Sequence, residues 1–359
     1  MVVLGWRLLY RALGYGVSAS GMYVDPLAEP ANFAAAVVER APAMILGLWA
    51  QPPADLATVG EEPIPTIIGL MGTMLLVLLV VLFKPFLEER TARFWATGMT
   101  LSLLLTSTSF PANRYLLVPS LGAMGLLALF LQGWREGWPG SSRTQVWRGV
   151  AKVSAVFFVV IHLVLAPIAL PYSAWALAAP AGVAANVARS LPDDPALSEQ
   201  QLVIVNAPDF LIFTGFLFPI RFMEQLPVAK RQSVLATGSV ELELKRVDER
   251  TIAIRSEQGF PSGFTDGVYR SGDQPFAPGQ KIQLPGISVE VIAIHDENLV
   301  SEAVFRFNVP LEDPSLRWFR WDTGAFVSFQ PPRIGDTIRL DPALFSVVAP
   351  VERRPAAFD

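Results

Sequence analysis

The twenty residues Ile64–Phe83, IPTIIGLMGTMLLVLLVVLF, carry no charge. A helix of that length rises about 30 Å, the thickness of the hydrocarbon core of a bilayer. A surface helix of a water-soluble domain would show a polar face, and this stretch has none. It reads as a membrane span and makes the chain a membrane protein. The composition agrees: of 359 residues, 52% are hydrophobic and 17% charged, where an ordinary soluble chain has about a quarter charged. Mean hydropathy is +0.41. The apolar excess fills the first half, and the charges collect after Leu191.

Three further segments have the length and character of spans. Residues 94–110 are shorter and rich in Ser and Thr, which can bond back to their own helix or across to a neighbour. Residues 115–134 carry Gly122, Gly125 and Gly133, which suit close helix packing. Residues 150–170 begin after a basic flank and end at Pro171. Before the first span, residues 33–49 hold Glu39, Arg40 and Pro42 among apolar residues, and read as a helix lying in the interface, with a short span broken by the proline as the alternative. Met1–Tyr15 is apolar with Arg7 and Arg11 one turn apart. It lacks the form of a signal peptide and reads as the tail of a longer span.

Lys and Arg in the short loops set the orientation. Lys84, Arg90 and Arg93 follow the first span, and Arg135, Arg143, Arg148 and Lys152 lie around the loop 134–149. These loops are expected on the cytoplasmic side. The loop holding only Arg114 then faces outward, and the last span delivers the rest of the chain to the periplasmic side of an inner membrane. Residues 172–189 can form an amphipathic interfacial stretch, and residues 191–200 a polar linker. Beyond it, Gln201–Asn206 reads as a buried strand and residues 209–226 as an apolar helix bent at Pro219. Period-two patterns in VELELKRV (240–247), RTIAIRSE (250–257), KIQLPGISVEVIAI (281–294) and EAVFRFNV (302–309) then announce a sandwich or barrel. The expected fold class is an α-helical integral membrane domain, 1–190, with about four transmembrane helices plus interfacial helices. A soluble β-rich (α+β) extracytoplasmic domain, 201–359, follows it.

Several function classes fall away. A net charge of −4 offers no basic field for nucleic acid. The absence of cysteine removes disulfides and thiolate chemistry, and with two histidines it argues against a zinc or iron site. GxxxxGKS/T, GxGxxG and GxSxG are absent. No cofactor is expected.

The residues that can carry chemistry are few. Arg114, beside Asn113 and Tyr115, lies at the outer membrane surface by the span assignment. A guanidinium there can bond a lipid phosphate bidentately, or simply anchor a helix hairpin. Arg7 and Arg11 share one helix face and can meet a phosphate or mark the membrane edge. Asp25 is the best local carboxylate of the outward loops, although Asp-Pro favours a turn. His162 sits within the last span, where an ionisable residue is a functional candidate and a neutral, bonded imidazole the plainer alternative. Asp209 is placed to cap a helix. Arg317, Trp318, Arg320 and Trp321 can form a surface for a glycan or a membrane, or a packed strand with snorkelling arginines. The turn His295-Asp296-Glu297 is assigned no chemistry.

The segment NRYLLVPSLG (113–122) resembles the RYLYLPSLG-type segment of GT-C-type membrane glycosyltransferases, above all the transmembrane O-mannosyltransferases that use a polyprenyl-phosphate sugar. Asn113 stands where an acidic residue is expected, and Leu117 where a second tyrosine stands. The match covers about ten residues. A wider resemblance is to bacterial polytopic membrane proteins that share a GYG…SGxYxDP loop (14–26), VNAPDF (205–210) and PLEDPSLRW (310–318). In those proteins a further hydrophobic half precedes the residues matching Met1, and that resemblance brings no function with it. The first resemblance implies a chain similar to the C-terminal half of such a transferase, with Arg114 and Tyr115 on the lipid phosphate. It also implies a catalytic acid in a first outward loop that this chain does not show. The other expectation is a non-catalytic membrane scaffold whose outward domain binds a protein or an envelope polymer.

Overall fold

The computed structural model describes residues 2–17, 20–59, 63–138, 144–261, 265–268, 275–295 and 299–344. Arg143, Asp296 and Glu297 lie outside them. The chain divides into two compact units, Met1–Ala174 and Trp175–Asp359.

The helices are α1 (Val2–Ala12), α2 (Pro30–Ala50), α3 (Leu56–Val59), α4 (Ile64–Phe83), α5 (Arg90–Thr106), α6 (Leu117–Glu136), α7 (Gln145–Val159), α8 (Ala166–Ser190) and α9 (Leu217–Met223). A π-helical turn, Val160–Leu165, joins α7 to α8 without a break. Four helical stretches are long and apolar enough to cross a membrane: Pro30–Ala50, Ile64–Glu88, Asn113–Glu136 and Gln145–Trp175. The set differs from the sequence expectation at two places. α5 lies four residues earlier than the expected 94–110, and with 17 residues it rises only about 25 Å. α2 was expected to lie in the interface, yet it is a 21-residue helix that Pro42 does not end. Its first half is largely exposed, while Met44, Ile45, Leu48 and Trp49 belong to the main core of the bundle.

Glycines set how closely the helices approach. α5 and α6 form an antiparallel hairpin in which the α5 backbone at Trp95 and Met99 lies against Gly122 and the Trp95 ring fills the space at Gly125. A Cβ on Gly125 would lie 2.4 Å from the Trp95 ring. At Gly72 a Cβ would lie 2.0 Å from the Pro42 carbonyl oxygen, so α2 and α4 touch backbone to backbone. Further along both helices, the Trp49 and Phe83 rings are 5.3 Å apart. The contacts advance together, so α2 and α4 run in the same sense, and residues 51–63 return between them. The far end of the bundle gathers the basic loops. The Trp147 indole N–H donates to the Val81 carbonyl at 3.1 Å, and the Phe86 and Phe130 rings are 5.9 Å apart.

The C-terminal unit contains β1 (Gln201–Ala207), β2 (Arg231–Thr237), β3 (Leu242–Arg246), β4 (Thr251–Phe260), β5 (Lys281–Leu284), β6 (Ile287–Ile294), β7 (Val300–Phe307), β8 (Leu316–Asp322), β9 (Ala325–Ser328) and β10 (Thr337–Leu340). They make a four-stranded sheet, β2-β1-β8-β9, and a six-stranded sheet, β10-β3-β4-β7-β6-β5. The larger sheet is antiparallel, whereas β1 pairs parallel to both β2 and β8. Alternation explains the layering. Val203, Val205, Leu316 and Trp318 face a core shared with the six-stranded sheet. Leu202, Ile204, Phe319 and Trp321 face a second core beneath α8 and α9. The unit is therefore two packed sheets with a helical third layer. That is why β1 is buried on both faces and reads as a continuous apolar run. The expected bent helix over 209–226 is a π-helical turn, Leu211–Gly215, followed by the short α9.

Candidate functional site

Arg114 stands on a 3-10 turn, Asn113–Leu116, at the start of α6. Several backbone-directed bonds fix that turn. The Asn113 side-chain oxygen accepts from the Ala54 amide at 2.9 Å, and the Asn113 amide donates to Asp55 at 3.0 Å. The Thr58 hydroxyl donates to the Pro111 carbonyl at 3.0 Å. From the N-terminal loop, the Val24 amide donates to the Thr108 carbonyl at 2.9 Å. Asn113, which breaks the acidic pattern of the resembled segment, thus has a structural task.

The aromatic setting follows from the same turn. Tyr23 meets Phe110 edge-on at 6.0 Å, and Phe110 meets Tyr115 edge-on at 5.9 Å. The Arg114 guanidinium carbon lies 5.1 Å from the Phe110 ring centre and 4.9 Å from that of Tyr115. Its Nη2 donates to the Tyr115 hydroxyl at 3.1 Å. Arg114 is exposed and makes no ion pair among the described residues. A cation held over two ring faces, with N–H groups left toward the surroundings, is arranged to receive an anion.

Arg7 and Asp25 are brought together as an ion pair. The Leu27 amide also donates to Asp25 at 2.9 Å, which is the turn that Asp-Pro favours. Burial pushes the Asp25 carboxyl up, but the Leu27 amide and the Arg7 guanidinium outweigh it and hold the group below the usual carboxylate range. Asp25 is thus a fixed counter-ion, poorly suited as a base near neutral pH. Tyr23, two residues before it, places this pair on the same side of the bundle as Arg114. Arg11 is exposed at the end of α1, without an ion pair among the described residues.

Sequence reasoning passed over Arg40. It is half-buried on α2, and its guanidinium donates to the Ser107 carbonyl at 3.3 Å. It thus ties α2 to the C-terminal end of α5. Its placement beside Glu39 gave no signal of this long-range contact. His162 lies in the π-helical turn, with its ring 6.4 Å from Phe158. Its buried Nε2 has no hydrogen-bond partner among the described residues.

The expected surface of Arg317, Trp318, Arg320 and Trp321 is corrected. Trp318 and Trp321 are buried, and their indole N–H groups donate to the carbonyls of Leu311 and Leu344. The two residues point into different cores because both faces of β8 are covered. Arg317 and Arg320 stay half-exposed, with Arg320 paired to Asp322 at 2.8 Å. Asp209 accepts from the amide and hydroxyl of Thr265, both at 2.6 Å, and so ties the end of β1 to a distant loop. No group of three or more His, Cys, Asp or Glu among the described residues could hold a metal ion. No family model, curated protein or solved structure matches this chain.

Proposed function

We propose that this is a multi-pass inner-membrane protein that binds the phosphate of a lipid at the outer leaflet through Arg114 and Tyr115. We propose further that it serves as part of a GT-C-like transferase acting on a polyprenyl-phosphate-linked sugar. The observation that carries the reading is the Arg114 guanidinium, exposed at the start of an apolar helix, stacked on Phe110 and Tyr115 and free of a carboxylate partner among the described residues. The basic loops at the opposite end of the bundle support an orientation with that end cytoplasmic and the Arg114 end, like the C-terminal unit, periplasmic. In a transferase of this kind an acid takes the acceptor proton while the phosphate leaves.

One observation favours the scaffold reading, in which the outward unit binds a protein or an envelope polymer. The best-placed carboxylate, Asp25, is already neutralised by Arg7. The two readings separate at Arg114. Titration of the detergent-solubilised protein with a polyprenyl phosphate should show Arg114→Ala weakening binding by about 10- to 100-fold, the worth of one or two charge-assisted hydrogen bonds. Arg114→Lys should recover only part of it, since a lysine cannot bond bidentately. Equal binding by wild type and Arg114→Ala, with folding retained, would remove the lipid-phosphate reading and leave the scaffold.

A further inference from the structure

The C-terminal unit holds an apolar groove of about 580 Å³ between the last turns of α8 and the segment ending in α9. Ala181, Ala184, Ala185, Phe216, Ile220 and Met223 line it, and Glu224 stands at the rim. The volume is that of a ligand site, within the usual range of roughly 300–1,000 Å³. Beside the groove Phe222 and Met223 are 78% and 81% exposed, and Phe216 is 45% exposed.

This exposure is built in. Arg221, 1% exposed, donates to the carbonyls of Ala188, Leu191, Pro192 and Pro227 at 2.7–3.1 Å. Arg189 on α8 grips both oxygens of Glu224. With these clamps α9 cannot roll its apolar residues inward. A contiguous apolar patch held open in this way marks an interaction surface.

The helix that forms the other wall indicates what covers the patch. α8 begins inside the candidate span that ends at Trp175, and it continues unbroken to Ser190. Tyr172 and Trp175, exposed on it, are residues suited to the bilayer interface. Ala181 lies six residues beyond Trp175, about 9 Å along the axis, next to a headgroup layer about 5–8 Å deep. No charged side chain interrupts the helix between Val153 and Ala188. Along the chain, the turns of α8 that wall the groove thus follow directly on an apolar candidate span, and the exposed side chains beside them are of the kind that dip into the boundary of headgroups and acyl chains.

We propose that this groove seats one apolar chain of a membrane lipid, and that Phe216, Phe222 and Met223 rest in the leaflet from which α8 emerges. The lack of native cysteine allows a clean test. Met223→Cys and Phe216→Cys would each carry a nitroxide in the full chain, reconstituted in nanodiscs of phosphatidylethanolamine and phosphatidylglycerol. Lys245→Cys, on the exposed face of β3, is the aqueous control. Labels at 223 and 216 should show a several-fold higher ratio of oxygen to nickel-chelate accessibility than the label at 245. A ratio equal to that at 245 would place the patch in water. Shielding from both relaxing agents would mean that protein covers it. Either result overturns the proposal. Because Met223 is mostly exposed, its replacement leaves the packing of the unit intact.

Discussion

Arg114 and Arg221 both lie among apolar residues, and the structure treats them in opposite ways. Arg221 is fully buried with four carbonyl acceptors around its guanidinium; Arg114 is exposed and bonds only its neighbour Tyr115. Removing Arg221 strands several buried carbonyls, each unsatisfied group costing about 1–3 kcal/mol. Arg221→Met, which keeps much of the volume, should therefore lower stability by at least about 3 kcal/mol in thermal unfolding of the full chain. A second arginine, Arg246, is buried and bonds both oxygens of Glu312. Its hydrogen bonds outweigh burial and hold the Glu312 carboxyl below its ordinary range. A carboxylate depressed in the folded state contributes stability that is complete above its unfolded value, about 4.3, and is lost as pH falls through the folded value. Glu312→Gln should destabilise the protein at neutral pH and flatten its loss of melting temperature on acidification. An unchanged acid profile would show that the pair carries no stability.

At the scale of elements, the contact of α2 with α4 depends on a missing side chain. Gly72→Ala would push a methyl group into the Pro42 backbone, an overpacking that costs about 1–3 kcal/mol. Gly69→Ala, on the same helix with open space around it, should be neutral or slightly stabilising. Equal melting temperatures for the two variants would contradict the close approach. The sequence made some of these elements legible. α4 begins and ends where its uncharged run does, and Gly122 and Gly125 signalled a tight hairpin before their partner Trp95 was known. Periodicity also located most strands of the larger sheet. It could not announce that β1 and β2 pair in parallel, because strand direction depends on the path between strands. The ends of α5 and the burial of the second half of α2 were illegible for a related reason: hydropathy registers an apolar face and says nothing of what it packs against.

Across the whole molecule, the candidate site assembles from parts far apart in sequence. Arg114 and Tyr115 could be singled out as a cation and an aromatic between apolar runs. Their support from Tyr23, Ala54, Asp55 and Phe110 could not, since each contact needs the fold to bring it near. The same holds for β8, where residue types allow either a surface stripe or a packed strand, and the two cores that cover both its faces make it the packed strand. The account rests on one arrangement, in which the Arg114 end of the bundle and the C-terminal unit both face away from the cytoplasm. The most direct measurement is labelling of single cysteines in intact cells with a membrane-impermeant maleimide, introduced at three exposed positions, Ala28→Cys, Glu89→Cys and Lys245→Cys. The account predicts labelling at 28 and 245 once the outer membrane is permeabilised, and at 89 only after the inner membrane is opened. Labelling at 89 from outside, with 28 protected, would invert the bundle and contradict a lipid-phosphate site on the outer leaflet.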